Sequence, residues 1–129
     1  MSEESLKEVE RSGYIKHNHH HIEEIEDGKK AVLRVNITEE SLNPYGYVHG
    51  GLIFGLGDTA MGTLARSTGK KAVTLNCTIT YLRPTSGTTV KAVAEMIKNG
   101  KQTCYMRCNF YDENEKLTAT MDSNYFYID

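Results

Sequence analysis

His49-Gly50-Gly51, followed by Asp58, is the grouping in this 129-residue chain whose residue types and spacing suggest chemistry. Both parts lie in the stretch Asn43 to Met61, NPYGYVHGGLIFGLGDTAM. Unpaired N–H groups and the helix dipole make a helix N-terminus a site that favours negative charge. Glycine there lets a ligand approach the backbone closely. A carboxylate further along the same helix could take a proton or attack a carbonyl. An oxyanion-stabilising end and a lone acid are the two parts that acyl-transfer hydrolysis needs.

The element that must carry them is a helix. After a turn at Asn43-Pro44-Tyr45-Gly46, the apolar segment Leu52 to Ala65 repeats Ile53, Leu56, Ala60 and Leu64 at offsets of three and four. Gly50, Gly51, Gly55, Gly57 and Gly62 oppose helix formation by up to ~1 kcal/mol each. Tertiary packing must therefore hold it, with other backbone expected close against it. No Lys, Arg or Glu occurs between Gly50 and Ala65, so the helix is expected to be buried. Asp58 is the charge within it, and its helical neighbours Phe54, Gly55, Met61 and Gly62 offer no basic partner. A structural aspartate, satisfied in the core or exposed where glycines thin the helix, is the alternative to a catalytic one.

Asn43, then His49-Gly50-Gly51, then Asp58 nine residues after the histidine, together resemble the hotdog-fold acyl-CoA thioesterases of the phenylacetate-pathway type. The resemblance runs over Ile22 to Tyr127. It implies an α+β hotdog fold, an antiparallel sheet of about six strands wrapped around one long central helix. It implies hydrolysis of an acyl-CoA thioester without a cofactor, in a homodimer or homotetramer. By position it gives the Gly50 N–H to the thioester carbonyl, and Asn43 and His49 to the loop beside that carbonyl. Asp58 becomes the base or nucleophile, and Thr74, on the strand after the helix, helps hold the water. Gly51, Arg66 and Arg83 are expected to contact substrate. Lys70, Lys71, Lys98 and Lys101 are further candidates for the CoA phosphates.

Helix geometry adds a constraint of its own. Gly50 and Asp58 are eight residues apart, so ~12 Å along one helix axis. One carbonyl cannot touch both groups of a single chain. If both act on it, the site takes Gly50 from one subunit and Asp58 from its partner.

Composition bounds the rest. The length is that of one domain, residues 1–129, with residues 1–13 as an N-terminal helical extension and a short helix expected over Ser2 to Ser12. Fifteen basic against 17 acidic residues give a net charge of −2, which argues against nucleic acid. No apolar run is long enough to span a bilayer and the N-terminus is not signal-like, so a cytoplasmic location is expected. Three cysteines, Cys77, Cys104 and Cys108, argue against a disulfide framework and read as buried, inert thiols. His17, His19, His20 and His21 invite a metal reading. Within a strand, however, His20 would face away from His19 and His21, and no metal site is expected.

Strand signals surround the helix. Asp27-Gly28 marks a hairpin, and Ala31, Leu33, Val35 and Ile37 alternate after it. Lys71 to Leu82, Thr88 to Lys98, Gln102 to Tyr111 and Lys116 to Ile128 follow, with Asn99-Gly100 as the strongest hairpin turn. Lys71 to Leu82 alternates Val73, Leu75, Cys77, Ile79 and Tyr81 against Thr74, Asn76, Thr78 and Thr80. The last strand carries Tyr125-Phe126-Tyr127, apolar on both faces. As an edge strand it would be an aggregation hazard, so burial against a partner is expected. Two rival functions remain on this sequence. One is a non-catalytic acyl-CoA sensor, for whose usual DNA-binding segment 129 residues leave no room. The other is a hotdog dehydratase or hydratase, which would use a differently spaced Asp/His pair.

Overall fold

The computed structural model describes Leu6 and residues 9–128. The helix expected over Ser2 to Ser12 falls mostly outside the described residues. The first complete element is a short helix, α1, Gly13–His17, whose N-cap Ser12 accepts from the Ile15 amide. Six strands follow: β1 His20–Glu26, β2 Lys30–Asn36, β3 Lys71–Tyr81, β4 Thr89–Asn99, β5 Thr103–Tyr111 and β6 Leu117–Ile128. Between β2 and β3 runs the long helix α2, Gly50–Arg66, preceded by a single 3-10 turn at Glu39–Ser41.

All strand pairs are antiparallel, in the order β1-β2-β4-β5-β6-β3. The sheet wraps α2. Ile53, Leu56, Ala60, Met61 and Leu64 of the helix pack on Leu33, Val90, Met106, Phe110 and Met121 of the sheet, all at 2% exposure or less. Burying each such side chain contributes roughly 1.5–3 kcal/mol, which outweighs the cost of the helical glycines. Those glycines admit side chains, where close backbone was expected. A Cβ at Gly57 would sit 2.5 Å from Phe110 Cζ and 2.6 Å from Met121 Sδ. The opposite sheet face is mixed: it carries ion pairs such as Arg107–Asp122 at 2.8 Å beside exposed Ile97, Phe126 and Ile128.

Two local expectations are corrected. The histidine cluster does not lie within one strand: His17 ends α1, His19 takes a positive φ of 58°, and β1 begins only at His20. The Asn99-Gly100 hairpin forms as expected, joining β4 to β5 through Gly100, Lys101 and Gln102. The last strand is not an edge. β6 lies between β5 and β3, and β3 is the outer strand on that side, as β1 is on the other. Val73 and Leu75 of β3 are 44% and 54% exposed, so the unpaired apolar surface sits one strand further out than the sequence suggests.

Candidate active site

α2 begins with an incomplete set of partners for its first amides. His49 is the N-cap, and its Nδ1 accepts from the Gly51 N–H at 2.8 Å. The His49 carbonyl accepts from Leu52 at 3.0 Å and, more weakly, from Ile53 at 3.4 Å. The Gly50 N–H is left without an acceptor among the described residues, as expected at the first helical position. Gly50, not Gly51, is therefore the available donor. His49 shapes the helix end through its ring nitrogen and its carbonyl.

Asn43 acts one loop earlier. Its Oδ1 accepts from the amides of Tyr45, at 2.9 Å, and Tyr47, at 3.1 Å, closing the turn that leads into the helix. Ser41 O then accepts from the His49 amide at 2.8 Å, and Thr85 O from Val48 at 2.9 Å. Asn43, Tyr47, Gly50, Ile53, Tyr81 and Arg83 line a cleft of about 570 Å³ at this end of the helix. Arg83 is thus beside Gly50. Arg66 is not: it ends α2, sixteen residues and ~24 Å along the axis from Gly50, and its guanidinium donates to Ala72 O at 3.3 Å. Lys70 lies near Arg66, donating to Lys101 O at 3.3 Å with its ammonium over the Tyr127 ring.

Asp58 is half-buried and far from unpartnered. Thr74 Oγ1 donates to its Oδ1 at 2.8 Å. The Tyr125 hydroxyl donates to the same carboxylate oxygen and lies 2.6 Å from the Asp58 carbonyl oxygen. Cys77 Sγ approaches that oxygen at 4.0 Å. The structure thus places Thr74, Tyr125 and Cys77 around one oxygen of Asp58. Cys77 is only half-buried, whereas Cys104 and Cys108 are buried in the core. Burial, and then the Asp58 charge, push the Cys77 thiol up to about 11. It stays a neutral donor and a poor nucleophile.

A β-bulge makes this arrangement. In the pairing of β3 with β6, Thr74 opposes Tyr125 and Asn76 opposes Asn124, so Leu75 is the extra residue. The inserted residue reverses the alternation of faces. Thr74 before it and Cys77 after it both reach Asp58, although regular alternation would send them to opposite sides. Tyr81, on the same face as Cys77, donates its hydroxyl to the Gly50 carbonyl oxygen. β3 therefore lies along the helix from Asp58 to Gly50. Nothing in the sequence pattern marks Tyr81 or Tyr125, since both read as ordinary alternating strand residues.

Residues 45–119 match the family model of the thioesterase superfamily. Over 90 residues the chain is 37% identical to the acyl-coenzyme A thioesterase PaaI of Escherichia coli K12, a match covering 69% of this chain. It spans 64% of that relative's length, just under two thirds. The solved structure of the E. coli PaaI protein from the phenylacetic acid degradation operon superposes with a TM-score of 0.91 at 29% identity. That superposition covers 97% of this chain and 91% of the other. The crystal structure of smu.793 from Streptococcus mutans UA159, bound to acetyl CoA, gives a TM-score of 0.80 at 27% identity, covering 84% and 88% of the two chains. The family match takes in more than half of the residues, and the sheet wrapped on one long helix is shared with these structures: the chain belongs to the thioesterase superfamily and has its hotdog fold.

Proposed function

We propose that this chain hydrolyses a coenzyme A thioester to the free acid and coenzyme A, at sites shared between two copies of the chain. The observation that carries this reading is the pairing, on one continuous helix, of a free Gly50 N–H with a hydrogen-bonded Asp58 carboxylate ~12 Å along the axis. The Gly50 N–H, with the helix dipole behind it, stabilises the negative charge that develops on the carbonyl oxygen. Asp58 either takes a proton from the water that attacks the acyl carbon and passes it to the departing thiolate, or attacks that carbon itself to give a mixed anhydride that water then hydrolyses. Coenzyme A leaves as the thiolate and is released as the thiol. The names of similar proteins, an acyl-coenzyme A thioesterase and a structure bound to acetyl CoA, support coenzyme A as the carrier.

A rigid helix cannot bend both groups onto one carbonyl, so the second group comes from a second copy. The exposed outer strand β3, with Val73 and Leu75 on its surface, supports edge-to-edge pairing into a homodimer, from which a homotetramer can build. Asn43 and His49 hold the helix end, Arg83 faces the cleft, and Thr74 orients Asp58. Among the described residues no helix is long and apolar enough to cross a membrane. The deciding assay is thiol release from a panel of short, medium, long and aromatic acyl-CoAs. Turnover of at least one member above the background rate is expected. Bound but unhydrolysed acyl-CoA across the whole panel would reverse the reading in favour of an acyl-CoA sensor.

A further inference from the structure

Three donors converge on one oxygen of Asp58. Thr74 Oγ1, the Tyr125 hydroxyl and, at longer range, Cys77 Sγ all point to Oδ1, and no described residue donates to Oδ2. We propose that Tyr125 is a positioning residue which, with its cross-strand partner Thr74, pins Oδ1 of Asp58 and thereby presents Oδ2 to the substrate. This rests on the reading of Asp58 as the reacting acid.

The pin is built from the sheet, not from the helix that carries Asp58. Thr74 and Tyr125 are directly opposed in the β3–β6 ladder, immediately before the bulge at Leu75, so their side chains rise together on one face. Tyr125 is 1% exposed and its ring cannot swing away. Gly62, one turn beyond Asp58, leaves the space that the ring occupies. A Cβ there would stand 2.9 Å from Arg66 Nη1 and 3.3 Å from both Tyr125 Cε2 and the hydroxyl oxygen, so the glycine makes room for both side chains. Burial, and then the Asp58 charge, hold the phenol well above its ordinary range, so it remains a donor. The bland alternative is that the hydroxyl is satisfied by the Asp58 backbone carbonyl alone and serves only stability. On that alternative the carboxylate would not feel changes made to the phenol.

The groups facing Asp58 are few: Thr74 and Cys77 from β3, Tyr125 from β6, and no titratable side chain from its own helical neighbours. The test therefore reads two quantities on the full-length protein. The first is kcat and KM of Tyr125→Phe on the best acyl-CoA of the panel, with the melting temperature measured on the same preparation. A roughly 10- to 100-fold fall in kcat with KM within twofold is expected, because a misplaced reacting group loses that much rate. The second is the ¹³C resonance of the Asp58 side-chain carboxyl carbon at one fixed pH, in the parent, in Tyr125→Phe and in Tyr125→3-fluorotyrosine. The fluorinated ring keeps the packing and donates more strongly, so it reports even if the phenylalanine variant does not fold. The resonance should move in opposite directions in the two variants. A kcat within twofold of the parent, or a resonance that moves in neither variant, would overturn the proposal. Because the resonance is read without substrate, it decides the pin separately from whether the parent hydrolyses acyl-CoA.

Discussion

The Tyr81 hydroxyl donates to the Gly50 carbonyl oxygen over 2.6 Å, tying the outer strand β3 to the first residue of the central helix. The contact is close enough to govern what Gly50 tolerates. A Cβ at Gly50 would lie 3.1 Å from the Tyr81 hydroxyl oxygen and 3.2 Å from Cζ. Gly50→Ala must therefore displace Tyr81 or tilt the helix end, and with it the free N–H. Losing an oxyanion donor typically costs ~3 kcal/mol, so kcat should fall on the order of 100-fold with a smaller change in KM. Melting temperature and kcat taken together separate this from a packing role. A variant that melts lower but turns over at the parent rate would end the oxyanion assignment.

Asp58→Asn keeps size and most of the hydrogen-bonding geometry while removing the charge and the basic oxygen. Turnover should drop at least ~100-fold, as losses of a general base do, with little change in melting temperature. A merely structural aspartate would accept the amide with its activity intact. Steady-state kinetics of Asp58→Asn and Asp58→Ala side by side provide the check.

Shared sites make a prediction that no single-chain enzyme would satisfy. Asp58→Ala chains and chains with Gly50→Val are each expected to be inactive alone. Mixed and allowed to exchange subunits, they should regain activity, because a heterodimer contains one site with both Gly50 and Asp58 intact. Differently tagged chains, purified as heterodimers, give the measurement. Inactive heterodimers would rule out the sharing.

His20 supplies a stability prediction away from the site. It is buried, stacks edge-on to Tyr14 at 5.7 Å, and its Nδ1 has no partner among the described residues. Burial, then the charges of His21 and His19, push its imidazole down to about 4. The folded value lies below the ordinary 6.5, so the neutral ring is the one that the fold favours. Its contribution is present in full above about pH 6.5 and is lost as pH falls towards 4. His20→Phe, which keeps an aromatic ring beside Tyr14, should flatten the decline in melting temperature over that window. Parent and variant melting with the same pH slope would show that His20 does not set it.

What the sequence by itself determined was mostly local. The offsets of Ile53, Leu56, Ala60 and Leu64 fix the helix. Its 1.5 Å rise then fixes the separation of Gly50 from Asp58 and, with it, the case for a second subunit. Strand limits were legible too, because two-residue alternation and turn residues are short-range signals. Strand order was not. Pairing β3 with β6 joins segments with two other strands between them in the chain, and only the shared hydrophobic face around α2 selects that partner. The same holds for the bulge at Leu75. One unpaired residue exchanges the faces of everything after it. Unbroken alternation would set Val73 on the face of Cys77 and Ile79, whereas Val73 and the bulged Leu75 are exposed. Tyr125 stands 67 residues from Asp58 and meets it only because the ladder opposes it to Thr74. Local periodicity writes which elements form; which side chains finally surround the carboxylate depends on pairing energies summed over the whole sheet.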